Sequence, residues 1–308
     1  MKKKFVVIIL LVLICSGCTK YIKDKDNKII KYEETGQNLT SNILCRPQTK
    51  ELAGEYEKYD DKLLVKLADL PKCDKFKPGA LKYNGPWEAI FVKPLAFVIL
   101  KVGVLVKNHG VAVMLIGLLI RIILLPLSIK SAKQAEQMKK IKPEIDKIEK
   151  KYKDKTDSAS MMAKSQETML IYKKYKISPL SGCLTALIQL PIFFAFLEAI
   201  NRVPAIFEGK FATLSLGMTP WVGIIGGHYL YIALIALIII TTYFSFRHTM
   251  ATNPTDTAGA PGQMQFMFKF MIIFISIASL SLPTAIGLYW IVTNGFAVVQ
   301  NFIVKRSR

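Results

Sequence analysis

One arginine constrains this chain more than any other residue: Arg121 lies inside the apolar run 111–129, which no other charged side chain enters. At about 1.5 Å of rise per helical residue such a run spans roughly 28 Å, close to the hydrocarbon thickness of a bilayer. Arg121 then falls near the midplane, where a guanidinium costs about 3 kcal/mol on insertion scales. Side chains of this kind face a water-filled cavity or a charged partner rather than lipid. Three readings follow: a functional cation in a wet cavity, a structural ion pair, or an arginine snorkelling to the nearer interface.

The chain as a whole suits the membrane reading, because 52% of its residues are hydrophobic and the apolar runs repeat along it. Its formal charge of +20 comes from lysines spread between those runs, with no aromatic-basic motif of nucleic-acid recognition. The expected counter-charge is therefore anionic lipid headgroups, and no specific nucleic acid.

Residues 1–17 read as a lipoprotein signal peptide, with Lys2, Lys3 and Lys4 before a short apolar stretch. The stretch ends in Cys15-Ser16-Gly17-Cys18, which resembles a bacterial lipobox. Cys18 is then the acylated (palmitate-bearing) first residue of the mature chain; the alternative is an uncleaved anchor helix. Residues 18–86 follow as a lipidated extracytoplasmic segment, polar, lysine-rich and weakly periodic, expected to be small or partly disordered. Its cysteines Cys45 and Cys73 sit in a compartment that permits a disulfide, although two cysteines alone do not make a framework. Residues 87–107 place Trp87, Ile90, Phe91, Leu95, Val98, Val102 and Leu105 at helical spacing among lysines, the pattern of an interfacial amphipathic helix. A short span broken by Lys101 is the competing reading.

Four more apolar runs, at 182–200, 229–246, 266–282 and 284–304, bring the expected spans to five within residues 108–308. Pro283 separates the last two and predicts a tight reversal. Basic flanks after residue 130, at Arg247-His248 and at Lys305-Arg306, point inward by the positive-inside rule. The loop 201–228 carries only Arg202 and Lys210 against Glu208 and belongs outside. This predicts a multi-pass protein of a bacterial cell membrane, with a lipid-anchored N-terminus outside and its C-terminus in the cytoplasm.

Between the first two spans, residues 130–176 repeat Met138, Ile141, Ile145, Ile148 and Tyr152 at spacings of three and four, a coiled-coil seam. Turn residues at 154–160 break it, and Met161, Met162, Met169 and Tyr172 continue a weaker stripe. The prediction is a cytoplasmic antiparallel helical hairpin, either a spacer or a docking arm for a cytosolic partner. The inward loop 247–265 is rich in proline and glycine and is expected to be mobile, as a substrate contact or a plain connector.

The run Arg121-Ile122-Ile123-Leu124-Leu125-Pro126-Leu127, followed by the basic arm with Lys142-Pro143-Glu144-Ile145, resembles the YidC-type membrane protein insertases. Ser178-Pro179-Leu180-Ser181-Gly182-Cys183-Leu184, Leu187-Ile188-Gln189-Leu190-Pro191 and Leu282-Pro283-Thr284-Ala285 with Leu288-Tyr289-Trp290 agree in the same order. The likeness covers residues 87–308, with Thr185 standing where many members have proline. It implies an all-α polytopic membrane protein whose five-span insertase core encloses a hydrophilic groove open to cytoplasm and lipid. It implies a chaperone-like function, inserting hydrophobic segments of nascent membrane proteins, alone or with the Sec translocon, and needing no cofactor or metal. The hairpin would meet the ribosome or the signal recognition particle system. Arg121 matches the family's groove arginine, and Gln189 and Trp290 match polar and aromatic positions around it.

An enzyme fits less well, because His109, His228 and His248 form no metal-ligand spacing and Cys183 has no histidine near it in sequence. A transporter or channel would also explain a midplane arginine, but the spans show no inverted repeat.

Overall fold

The computed structural model describes residues 19–82, 85–177, 181–252 and 263–306. The signal peptide, Cys18 and most of the 247–265 loop fall outside these residues.

Residues 19–82 are more ordered than their sequence pattern predicts. Strands β1 (Lys31–Tyr32) and β2 (Gln37–Asn38) pair antiparallel, Lys31 opposite Asn38. Helix α1 (Lys50–Glu57) starts at Thr49, whose hydroxyl accepts the Leu52 N–H at 3.4 Å. Ile22, Leu39, Ile43, Leu52, Tyr56 and Leu70 converge in a core of their own. Their irregular spacing, served by turns and single 3₁₀ turns, explains why no periodicity announces it. Cys45 and Cys73 are joined by a disulfide, with Cα atoms 4.9 Å apart.

A π-helical turn, Glu88–Val92, leads into α2 (Lys93–Leu105). Of the expected apolar stripe Trp87 is buried, while Ile90, Phe91, Val98 and Leu105 are exposed and Leu95 and Val102 half-buried. A π turn carries an extra residue and so rotates the side chains that follow relative to those before it. Lys107, with φ 56, takes the left-handed conformation between α2 and the next helix, and Asn108 Oδ1 accepts the Val111 N–H at 3.0 Å.

Helix α3 (His109–Ile123) is shorter than the expected run, for α4 (Leu125–Lys151) begins after Leu124 with Pro126 in its first turn. Proline lacks the N–H that a continuous helix would bond there. Arg121 therefore sits in the last turn of α3, not at its middle.

Helix α5 (Ser158–Lys174) is capped by Asp157 and returns along α4. Met138, Ile141 and Ile145 of the predicted seam pack with Tyr172 and Ile177. Lys151 pairs with Glu167 at 2.6 Å, and Lys174 with Glu144 at 3.6 Å, so the two helices run antiparallel. Met161, Met162 and Met169 are exposed instead of continuing the seam.

The remaining elements are α6 (Ser181–Asn201), α7 (Pro204–Phe207), β3 (Lys210–Phe211) paired antiparallel with β4 (Leu214–Ser215), α8 (Pro220–Ile225), α9 (Leu230–Thr252), α10 (Gln263–Ser281) and α11 (Thr284–Arg306). Their apolar parts lie where the runs predicted them, with Pro283 between α10 and α11. Among the described residues one stretch, Leu230–Arg247, is long and apolar enough to cross a membrane by itself. Shorter apolar helical stretches occur at His109–Ile123, Gln189–Asn201, Lys269–Ser281 and Thr284–Gln300.

The chain divides into two compact units. The first comprises Met1–Leu119, Leu190–Ile238 and Ile277–Thr293, and the second Ile120–Gln189, Ile239–Ser276 and Asn294–Arg308. The division falls within α3, α6, α9, α10 and α11, so each of these helices contributes one end to each unit.

Candidate functional site

The two units differ in what their helix segments carry. In the first, the α3 segment after His109 and the α9 segment to Ile238 are apolar except for Tyr231. In the second, the same helices supply Arg121, Thr241, Thr242 and Ser245, while α6 supplies Gln189 and α11 supplies Asn294. Arg121 and Gln189 are both half-buried. Asn294 Nδ2 donates to Thr242 Oγ1 at 2.9 Å, a side-chain bond between α11 and α9. Ser128 and Ser276 instead return their hydroxyls to carbonyls four residues back, at 3.1 and 2.7 Å, and so hide their polarity within the helix. The unit thus offers a fixed cation, amides and a hydroxyl within apolar segments. Such an arrangement can hold water and attract acidic groups.

Trp290 belongs to the first unit. It is buried, its ring stacked on Phe193 with centroids 5.6 Å apart and planes at 15°. Beside it Tyr289 packs on Phe196 at 4.3 Å, and a Cβ on Gly117 would come within 3.0 Å of the Tyr289 ring. Of the three residues singled out from sequence, the structure places Arg121 and Gln189 in one unit and Trp290 in an aromatic layer of the other.

A second polar centre was invisible in the sequence. Glu88 takes Lys93 Nζ at 3.1 Å and Arg202 Nη2 at 3.1 Å, and Glu198 accepts the Trp87 indole N–H at 3.0 Å. The Lys93 and Arg202 side chains are only 0% and 2% exposed. Burial pulls the Lys93 ammonium below its ordinary pKa, with the Glu88 carboxylate acting against it. Lys93 Nζ also donates to the carbonyls of Leu81 and Lys82, at 2.7 and 2.9 Å. The local signals were slight: Glu198 and Arg202 stand one helical turn apart, and Glu88 lies five residues before Lys93, but Arg202 reads as a loop charge.

On the hairpin the charges lie at the surface. The Tyr175 hydroxyl and the Lys174 ammonium hold the Glu144 carboxyl below its usual range, and Lys151 with Tyr152 does the same for Glu167.

Comparison with known proteins adds to this geometry. The sequence pattern of the 60Kd inner membrane protein matches residues 101–308, so residues 19–82 lie outside it. The chain is 36% identical over 230 residues to the Bacillus anthracis protein named membrane protein insertase YidC 2, covering 74% of this chain and 85% of that one. It is 33% identical over 229 residues to the membrane protein insertase YidC of Oceanobacillus iheyensis, covering 72% and 85%. A crystal structure of an active YidC insertase with its first transmembrane domain resolved shares the fold, with a TM-score of 0.50 at 23% identity. That likeness covers 81% of this chain and about half, 51%, of the other. The pattern match extends over more than half of the sequence, and the chain belongs to the family of the 60Kd inner membrane protein.

Proposed function

We propose that this protein is a membrane protein insertase, which accepts hydrophobic segments of nascent proteins and releases them into the bilayer. The observation that carries the reading is the concentration of Arg121, Gln189, Thr242 and Asn294 in one unit, with the first-unit segments of α3 and α9 apolar but for His109 and Tyr231. Each peptide group exposed to hydrocarbon costs several kcal/mol, so a polar tail cannot cross a fully apolar path unaided. A wet cavity through part of the thickness shortens that path. Arg121 attracts acidic tail residues into it, and the apolar segment then moves sideways into lipid because burial there is favourable. No nucleotide or metal enters this scheme.

The same reading makes α3, α6, α9, α10 and α11 the five spans of the core and places the α4–α5 hairpin in the cytoplasm. The 201–228 loop and residues 19–82 lie outside, with Cys18 acylated in the facing leaflet. Arg121 and Gln189 line the groove. The hairpin receives the ribosome or a targeting factor, and the Sec translocon is a neighbour on some substrates. The chemistry is non-enzymatic.

Photo-crosslinking tests this. A crosslinker at Gln189 or Asn294 should capture a ribosome-bound nascent chain carrying one apolar segment, whereas one at exposed Leu237 should capture chiefly lipid. Equal capture at all three positions would remove the groove from the account.

A further inference from the structure

We propose that residues 19–82, which the family match leaves unassigned, are a brace for the 201–219 loop, and that Arg202 is the positioning residue that joins the two. All the groups involved belong to the first unit.

The loop first gathers helix ends. Met218 and Leu216 carbonyls accept the N–H groups of Thr284 and Ala285, each at 3.0 Å, and Met218 also takes the Thr284 hydroxyl at 2.7 Å. The opening N–H groups of a helix have no partner inside it, so the loop serves as the cap of α11. Asn108, which caps α3, donates its Nδ2 to the Lys210 carbonyl at 3.0 Å, and Ser215 donates its N–H to the Tyr231 hydroxyl of α9 at 3.0 Å. One loop therefore fixes the starts of three helices.

Residues 19–82 hold that loop along its length. Arg202 Nε donates to the Asn42 carbonyl at 2.8 Å, and the Arg202 carbonyl accepts the Leu44 N–H at 2.8 Å. Thr40 Oγ1 donates to the Asn201 carbonyl at 3.0 Å, and Thr219 donates its N–H to the Thr35 carbonyl at 2.8 Å. Glu208 Oε1 accepts three donors from the start of α1: Gln48 N and Thr49 N at 2.8 Å and Thr49 Oγ1 at 2.9 Å. Gly36 closes the contact, for a Cβ there would lie 2.5 Å from Val222 Cγ2 at a backbone φ of +72°. The buried Arg202–Glu88–Lys93 chain then ties this seam to α2. A buried guanidinium held at Nε by a backbone carbonyl and at Nη2 by a carboxylate has few alternative arrangements, so it fixes register where apolar contact alone would slide. A tether for a lipid anchor needs none of this.

Under the insertase reading, on which the functional meaning rests, the brace keeps the starts of α3, α9 and α11 fixed while a substrate passes. The test does not depend on that reading. Hydrogen exchange is followed in the full-length protein in lipid nanodiscs for wild type, Arg202→Ala and Glu208→Ala. The brace predicts that Arg202→Ala speeds exchange about tenfold or more in both 36–49 and 203–219, the scale expected when a charge-assisted bond is lost, with the hairpin segment 138–172 unchanged. Glu208→Ala, which leaves the buried chain intact, should speed both segments by a smaller factor, and it decides the matter if Arg202→Ala fails to fold. Faster exchange in 36–49 with 203–219 at its wild-type rate would overturn the proposal and make the segment a passenger. Failure of insertion assays would leave these rates unchanged, so the two readings fail separately.

Discussion

Removing the Cys45–Cys73 crosslink should cost residues 19–82 much of their stability. The bridge closes a loop with a sequence separation of 28, and the chain-entropy relation for such a loop gives about 3.6 kcal/mol at 25 °C. A domain this small has about 3–10 kcal/mol in total, at the usual 0.05–0.15 kcal/mol per residue. Both cysteines are buried, so replacing them with serine also buries two hydroxyls. Pulse proteolysis of the full-length protein in urea, scored on fragments of residues 22–70, reads the change directly. We expect the Cys45→Ser/Cys73→Ser variant to lose 3–4 kcal/mol, on the order of the loop-closure figure. A loss below about 1 kcal/mol would refute the reasoning. It would show that the Arg46 side chain and backbone, bonded to the carbonyls of Leu67, Ala68 and Pro71, already close this loop in the unfolded ensemble.

Two further outcomes follow from buried groups. Burial pushes the Tyr56 phenol up to about 12, against an ordinary value near 10. The unfolded chain therefore loses that proton first, and the stability of residues 19–82 should be level below pH 10 and fall as pH rises towards 12. Urea midpoints measured across that window should flatten in Tyr56→Phe; an unchanged slope would assign the alkaline loss to other groups. In the hairpin, Ile141 is 1% exposed at the centre of the α4–α5 seam, so Ile141→Ala should cost about 2–4 kcal/mol there. Protease cleavage at the 152–157 turn reports it, and a variant as resistant as wild type would mean that the seam does not hold the helices together.

The apolar helices were legible in the sequence because each is one local run, and the α4–α5 seam because a spacing of three and four survives any detail of packing. Arg121 stood out for a related reason: a charged residue in an apolar run is conspicuous without knowledge of its neighbours, whereas Gln189 came only with the family resemblance. What escaped depends on distance along the chain. The core of residues 19–82 joins Ile22 to Leu70 through aperiodic turns, and Arg202 meets Asn42 and Glu88 across more than a hundred residues. The π turn at Glu88–Val92 leaves no mark in the hydropathy pattern, and Trp87 is buried there while Ile90 is exposed. Pro126 was visible, but its effect on where α3 ends was not, and that moved Arg121 from mid-helix to the last turn.

The central claim is that a charged, hydrated groove inserts membrane proteins, and reconstitution tests it most directly. Purified protein in liposomes is given a single-span substrate with an acidic tail made by in vitro translation, and protease protection is compared for wild type, Arg121→Ala and Arg121→Lys. The account predicts protection that requires the protein, falls in Arg121→Ala and recovers largely in Arg121→Lys, since a positive charge is what draws the tail in. Protein-dependent protection that is the same in all three would contradict the charged groove, and protection equal to that of empty liposomes would contradict insertion of such a substrate by this protein.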